Sequence, residues 1–301
     1  MEKYQIFLLI SICTISFVSC SGCLTAHDNV AYANTIINQA RVKSENINFE
    51  NDSYATLNIK LNEVKIDYQS ALSILNGSTT VLSEEKTGID QSVKKLQYNI
   101  LILDYLINYE DMMEHGKKSL RYLDSGEYLA AREELSLARL YLHETIQVST
   151  SAKTAIDSLD PQSIPLEDKG RYYRSINYQY LTEKNNDYST ILDIIDDKIN
   201  ATDALDQANK YLKNNDFNGA KSYLLTARTR FMNLKTNSDI LKNSQNYGIS
   251  TNAITISNTT NEQILNIDRV LFIISPSLPS PVPVIPFAIS IPNPSNLLPL
   301  L

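Results

Sequence analysis

The densest group of reactive side chains in the chain is Glu110, Asp111, Glu114 and His115. On a helix, Glu110 and Glu114 would lie one turn apart, as would Asp111 and His115, a spacing that can grip a cation. Charge clusters on helices are more often solvated faces, and that is the expectation for this group and for Glu133-Glu134 and Asp196-Asp197. Neither Glu-x-x-His nor His-Glu-x-x-His occurs around the three histidines, His27, His115 and His143, so the helical metal-site spacings are missing. No Gly-x-Gly is present to cradle a phosphate, and no Gly-x-Ser-x-Gly elbow to carry a nucleophilic serine. All three cysteines, Cys13, Cys20 and Cys23, precede a stretch of 278 residues without a thiol, which excludes thiolate catalysis and zinc-thiolate sites there. The expectation is a non-enzymatic protein with no catalytic residue, no metal and no cofactor.

The cysteines point to a different chemistry. From Ile6 to Val18 the chain runs apolar for thirteen residues, too short for the roughly 20 that a spanning helix needs. It has the length of the apolar core of a secretory signal, about 7–15 residues, and small residues follow it at Ser19, Ser21 and Gly22. Ser21-Gly22-Cys23 resembles the end of a bacterial or archaeal lipoprotein signal, in which a cysteine after small residues is lipidated and becomes the first mature residue. Cys20 stands where that family usually has leucine, and is itself a second candidate for processing. The resemblance implies lipid attachment at Cys23, removal of residues 1–22, and a protein exported to the outer face of the cytoplasmic membrane or the cell surface.

Composition narrows the partners. The formal net charge is −7, and Glu2 cancels Lys3, so the mature part carries all of it. That balance disfavours nucleic acid, which rewards clustered Lys and Arg. Eight glycines in 301 residues agree with long helices and few tight turns.

Periodicity predicts what positions these residues. Tyr54, Leu57, Leu61, Val64, Tyr68, Ala71 and Leu75 follow one another in steps of three and four, as do Ile89, Val93, Leu96, Ile100, Leu103 and Ile107. Ala131, Leu135, Ala138 and Leu142 repeat the pattern, which places one apolar stripe on each helix. An internal repeat with an offset of 89 residues organises the helices. Ile102-Leu103-Asp104 recurs as Ile191-Leu192-Asp193, and Tyr122-Leu123 as Tyr211-Leu212. Ala131, Leu135, Ala138 and Arg139 recur as Ala220, Leu224, Ala227 and Arg228, with Tyr128 becoming Phe217. The polar group at 110–115 is not kept, its counterparts being Ile199, Asn200, Asp203 and Ala204.

Between the two helices of each copy lies a tight turn, Leu123-Asp-Ser-Gly126-Glu-Tyr128 and Leu212-Lys-Asn-Asn215-Asp-Phe217. Glycine accepts positive φ most cheaply and asparagine next, so each copy is expected to be an antiparallel hairpin reversing at that residue. With Tyr122, Gly126, Tyr128, Ala131, Leu135 and Ala138, and again with Ala208, Tyr211, Phe217, Ala220, Leu224 and Ala227, the hairpin resembles one tetratricopeptide-type repeat. That family repeats every ~34 residues and this chain every 89, so the resemblance implies a way of packing two helices and no groove.

The expected fold class is all-α: long antiparallel hairpins in a bundle or short solenoid, with an irregular Pro-rich tail. The expected organisation is a signal peptide at 1–22, an N-terminal helical segment at 23–80 and repeat units at 81–159 and 160–245, followed by a disordered tail at 246–301. Asp160-Pro-Gln-Ser-Ile-Pro165 divides the repeat units. After Arg269 no side chain is charged for 32 residues, and eight of the ten prolines fall there, which forbids a continuous helix. Four N-glycosylation sequons start at Asn51, Asn76, Asn200 and Asn258. The functional expectation is a lipid-anchored helical scaffold in the cell envelope that binds a protein or cell-wall component. The alternative is an extracytoplasmic ligand-sensing or solute-binding bundle.

Overall fold

Steps of three and four carry apolar side chains down each long segment, and each such segment is a helix. The computed structural model describes residues 24–49, 51–77, 83–159 and 178–274, together with Leu297 and Leu300. These residues form seven α-helices and no strand: α1 (Leu24–Glu45), α2 (Tyr54–Gly77), α3 (Ser83–Asp124), α4 (Tyr128–Asp157), α5 (Tyr178–Lys213), α6 (Phe217–Leu241) and α7 (Tyr247–Ile274). The fold is all-α. No helix among the described residues is long and apolar enough to cross a membrane. The expected signal at 1–22, Cys20, Cys23, the linker from Asp160 to Pro165 and the prolines from Pro276 to Pro286 lie outside the described residues.

Two compact units divide the chain: Met1–Asp111 with Tyr141–Asn185, and Met112–Leu140 with Asn186–Leu301. The division falls inside α3, α4 and α5, so neither unit coincides with a sequence repeat.

In the first unit the expected N-terminal helical segment is a hairpin, with α1 packed on α2. The chain breaks between them over Asn46–Ser53, where Asn, Asp and Ser side chains offer the backbone alternatives to the helix. Asn48 N–H donates to Asp52 Oδ2, and Ser53 Oγ caps α2 by accepting from Thr56 N–H at 3.2 Å. Lys60 donates to the Asp52 carboxylate at 2.7 Å and holds it below its usual pKa. The buried side chains of α2 are Leu57, Leu61, Val64, Tyr68, Ala71 and Leu75, the predicted stripe without its first member.

The helix α3 departs from the one-stripe expectation. It buries Ile89, Leu96 and Leu103 as predicted, but also Tyr98, Ile102, Tyr105, Leu106, Tyr109 and Met112, while Val93, Ile100 and Ile107 are half-buried. The reason is that α3 has partners on several sides. In the first unit Lys65 of α2 pairs with Asp104 at 2.6 Å, Lys94 donates to the Ser158 carbonyl beyond α4, and the Lys184 ammonium of α5 sits 4.8 Å over the Tyr109 ring. A helix surrounded in this way buries most of its circumference.

In the second unit the two predicted turns have the same geometry. Gly126 has φ +76° and Asn215 φ +60°. In one turn Gly126 N–H donates to Leu123 O and Glu127 N–H to Tyr122 O; in the other Asn215 donates to Leu212 and Asp216 to Tyr211. Each acceptor and donor is displaced by the repeat offset. Ala131, Leu135 and Ala138 on α4, like Ala220, Leu224 and Ala227 on α6, are buried. Ser119 Oγ donates to the Ala131 carbonyl at 2.7 Å, tying α3 to α4.

The Ser/Thr/Asn-rich stretch expected as the start of a disordered tail is instead α7, a correction to the sequence reading. Asn246 Oδ1 caps it by accepting from Gly248 and Ile249 N–H. Its buried face, Ile249, Ala253, Ile256, Thr260, Ile264, Ile267 and Val270, again steps by three and four. β-Branched residues are poor helix formers by themselves, but packing on α6 overrides a penalty of a few tenths of a kcal/mol per residue. Arg228 of α6 holds Asp268 of α7 through two nitrogens, at 2.6 and 3.2 Å. Asp239 of α6 accepts from Lys235, Lys242 and Ser257 Oγ, and the lysines hold its carboxyl well below the usual range.

Two predictions follow from these contacts. Gly126→Val forces a branched side chain into the left-handed region and lowers the free energy of unfolding by about 1–2 kcal/mol. Asn215→Gly leaves it within about 0.5 kcal/mol of the parent; urea unfolding followed by helical circular dichroism reads both. The folded pKa of Asp239 lies below its unfolded value near 3.8. Its contribution to stability is therefore present above that pH and lost as the pH falls through the folded value. Asp239→Asn should lower stability at neutral pH and flatten the decline on acidification. An unchanged acid slope would refute this role.

Candidate functional site

Glu110, Asp111, Glu114 and His115 all lie on α3, but each has its own engagement. Asp111 is 7 % exposed and accepts from the Tyr54 hydroxyl and, at 3.1 Å, from Asn58 Nδ2 of α2. Burial, and then the Asp111 carboxylate, push the Tyr54 phenol above its ordinary pKa. Glu110 is also buried. Glu114 accepts from Arg121 at 2.9 Å, and His115 Nδ1 bonds Glu134 Oε2 of α4 at 2.6 Å. The expectation of a solvated face is corrected for Glu110 and Asp111, because α3 is packed on the side where they lie. Among the described residues no group of three or more His, Cys, Asp or Glu gathers as a metal site would.

Of Asp196-Asp197, only Asp197 departs from the solvated-face reading; Asp196 is half-exposed. Asp197 is 6 % exposed and the next residue, Lys198, 4 %. Like α3, α5 is buried around most of its girth, so Asp197 and Lys198 meet neighbours rather than water. Burial lowers the Lys198 ammonium to about 8, opposed by the Asp124 charge.

The Asp197 carboxylate opens onto a groove between α5 and α6, within the second unit. It is lined by Asp193, Asp196 and Asp197 from α5 and by Arg230, Asn233, Thr236 and Asn237 from α6, and has a volume of about 350 Å³. The α6 residues Arg230, Asn233 and Thr236 step by three, with Asn237 four after Asn233, a polar stripe at helical spacing that is visible in the sequence. The α5 residues were singled out, but not their convergence with α6.

Electrostatics of the groove are set by arginines. Burial raises the Asp197 carboxyl above its usual pKa, and Arg230, whose Nη1 lies 3.2 Å away, pulls it back. Arg139 of α4 pairs with Asp193 at 2.9 Å and with Asp196 at 3.9 Å. The Thr236 hydroxyl donates to the Met232 carbonyl, which commits its proton to the helix backbone. The lining therefore offers carboxylate and carboxamide acceptors, carboxamide donors and one guanidinium. Such a set can hydrogen-bond a polar chain; it contains no nucleophile paired with a base.

The four sequon asparagines differ in environment. Asn51, Asn76 and Asn258 are exposed, whereas Asn200 Oδ1 accepts from Arg132 Nε and Nη2 at 3.3 and 3.1 Å. Arg132 also reaches Asp203 at 2.7 Å.

Removing Arg230 would leave Asp197 buried without its cation. Arg230→Ala should cost about 1–3 kcal/mol of stability at neutral pH. The folded pKa of Asp197 already lies above the unfolded value, so its contribution is present at low pH and lost as the pH rises through the folded value. Loss of Arg230 raises that value further, and the deficit should shrink on acidification. Adding Asp197→Asn should recover much of it. A double variant no more stable than Arg230→Ala would show that Asp197 is not what Arg230 serves.

The chain matches no family model, no curated protein and no solved structure, so its function has to be argued from its own side chains.

Proposed function

We propose that the protein is a non-enzymatic scaffold of the cell envelope, tethered through lipid on Cys23, that holds a protein or cell-wall partner on its helical hairpins. One observation carries the binding reading. The α5–α6 groove presents three carboxylates, two carboxamides and a guanidinium, and its hydroxyl is committed to backbone. That inventory favours recognition by hydrogen bonding over bond making. The tether rests on Ser21-Gly22-Cys23 and on the absence of any later cysteine. Resemblance of the two hairpins to tetratricopeptide-type repeats supports a role in holding a partner.

Groove volume favours the second reading, a ligand-sensing bundle, because about 350 Å³ falls at the lower end of small-molecule pockets. Such pockets are mostly apolar, and this lining is not, which keeps the scaffold reading first.

The test uses the full chain in its native envelope. Photo-crosslinking with a probe at Thr236 should yield a discrete adduct that Asp193→Ala with Asn237→Ala abolishes while the helical spectrum is unchanged. No adduct, or one indifferent to the double substitution, overturns partner binding at this groove. A melting temperature raised by several degrees by one small molecule would favour the sensing reading instead. Intact mass of the membrane-extracted protein reads the tether: the chain should begin at Cys23 and carry the mass of lipid.

A further inference from the structure

We infer that Asn51 is a modification site, an asparagine that carries an N-linked glycan. The inference rests on the export reading, since the sugar donor would be met outside the cytoplasm. A transferase that recognises Asn-x-Ser/Thr has to reach the asparagine amide and the hydroxyl two residues later together. Side chains two apart on a helix do not share a face, so a sequon inside a helix cannot present both.

The four sequons separate on that criterion. Asn200 and Thr202 lie within α5; the Asn200 carboxamide is held by Arg132, and Thr202 is 1 % exposed. Asn258 and Thr260 lie within α7, where Asn258 faces solvent but Thr260 is 5 % exposed on the face packed toward the core. Asn76 stands in the last turn of α2, still helical backbone, and Ser78 lies outside the described residues. Asn51 and Ser53 sit in the connection between α1 and α2, both exposed and both outside helix; the Ser53 oxygen, which caps α2 by accepting from Thr56 N–H at 3.2 Å, stays on the exposed surface.

The connection is also pre-shaped. Asn51 N–H donates to Asn48 Oδ1, and Asp52 N–H to the Asn48 carbonyl at 2.8 Å, which folds the chain into a turn with the Asn51 side chain outward. The intervening Asp52 carboxylate is tied to Lys60 and to Asn48 N–H, so its charge is neutralised beside the acceptor amide. Asn51 is exposed, so a bulky polar group on it would extend into solvent.

The donor is a sugar linked through its anomeric carbon to a lipid phosphate or pyrophosphate. Asn51 Nδ2 attacks that carbon and the C–N bond forms. The bond from the carbon to the phosphate oxygen breaks, with the electron pair leaving on the phosphate. One amide proton passes to a base of the transferase, and no oxidant or reductant is needed.

The full chain purified from the membranes of its native host, digested and read by glycopeptide mass spectrometry, tests this. The peptide containing Asn51 should be heavier by at least one sugar residue, with Asn200 and Asn258 bare. Asn51→Gln and Ser53→Ala should each remove the added mass, and Ser53→Thr should keep it. Asn200→Gln should leave it in place. A bare Asn51 on a chain that begins at Cys23 overturns the glycan and leaves export standing. A chain that retains residues 1–22 with Asn51 bare overturns both, and sugar on Asn51 without lipid on Cys23 supports the glycan alone.

Discussion

Consecutive helices form a closely packed hairpin where the chain reverses within a few residues and the facing side chains are small. Gly126 and Asn215 provide the reversal at positive φ, and Ala131, Ala138, Ala220 and Ala227, none of which retains exposed surface, provide the close approach. With the reversal at one defined residue, the face that each second helix turns toward the first is set by helical geometry alone. The Ser119 bond to the Ala131 carbonyl and the His115–Glu134 pair then fall into reach. The groove depends on the same device in the second copy, since Asn215 determines which face of α6 meets α5.

The helices differ in kind as well as in order. In the described chain α3 and α5, the first helices of the two copies, are buried around most of their circumference, whereas α4 and α6 bury single stripes. The two segments related by the 89-residue offset share this division of roles although few residues match. Arginines show the same inheritance. Arg139 of α4 reaches forward to Asp193 on α5, and Arg228, its counterpart by the 89-residue offset, reaches forward from α6 to Asp268 on α7. Such half-exposed pairs contribute at most about 1 kcal/mol each, against about 1.5–3 kcal/mol for each fully buried leucine. Apolar stripes therefore hold the hairpins, and the ion pairs add little to their stability.

At the groove this ranking inverts. Asp197 is buried enough that its charge requires Arg230, and Asp193 and Asp196 are engaged by Arg139, so the carboxylates face the groove already partnered. Partnered carboxylates are good acceptors of charge-assisted hydrogen bonds.

Hydrophobic periodicity, turn chemistry and the repeat determined much by themselves. They placed α2 and its stripe, the two reversals at Gly126 and Asn215, and the buried alanines, because steps of three and four and a residue tolerant of positive φ are local properties of the chain. Local pattern could not decide what surrounds a helix. It read Glu110, Asp111 and Asp197 as solvated, and tertiary packing buried them, because α3 and α5 acquire neighbours on faces that carry no apolar stripe. It read residues after 246 as a tail, and α7 exists because its β-branched stripe finds the surface of α6. It marks the acidic residues of α5 but not the groove, since Asp193 and Asn237, on opposite arms of the hairpin, come together only when α5 and α6 pack side by side.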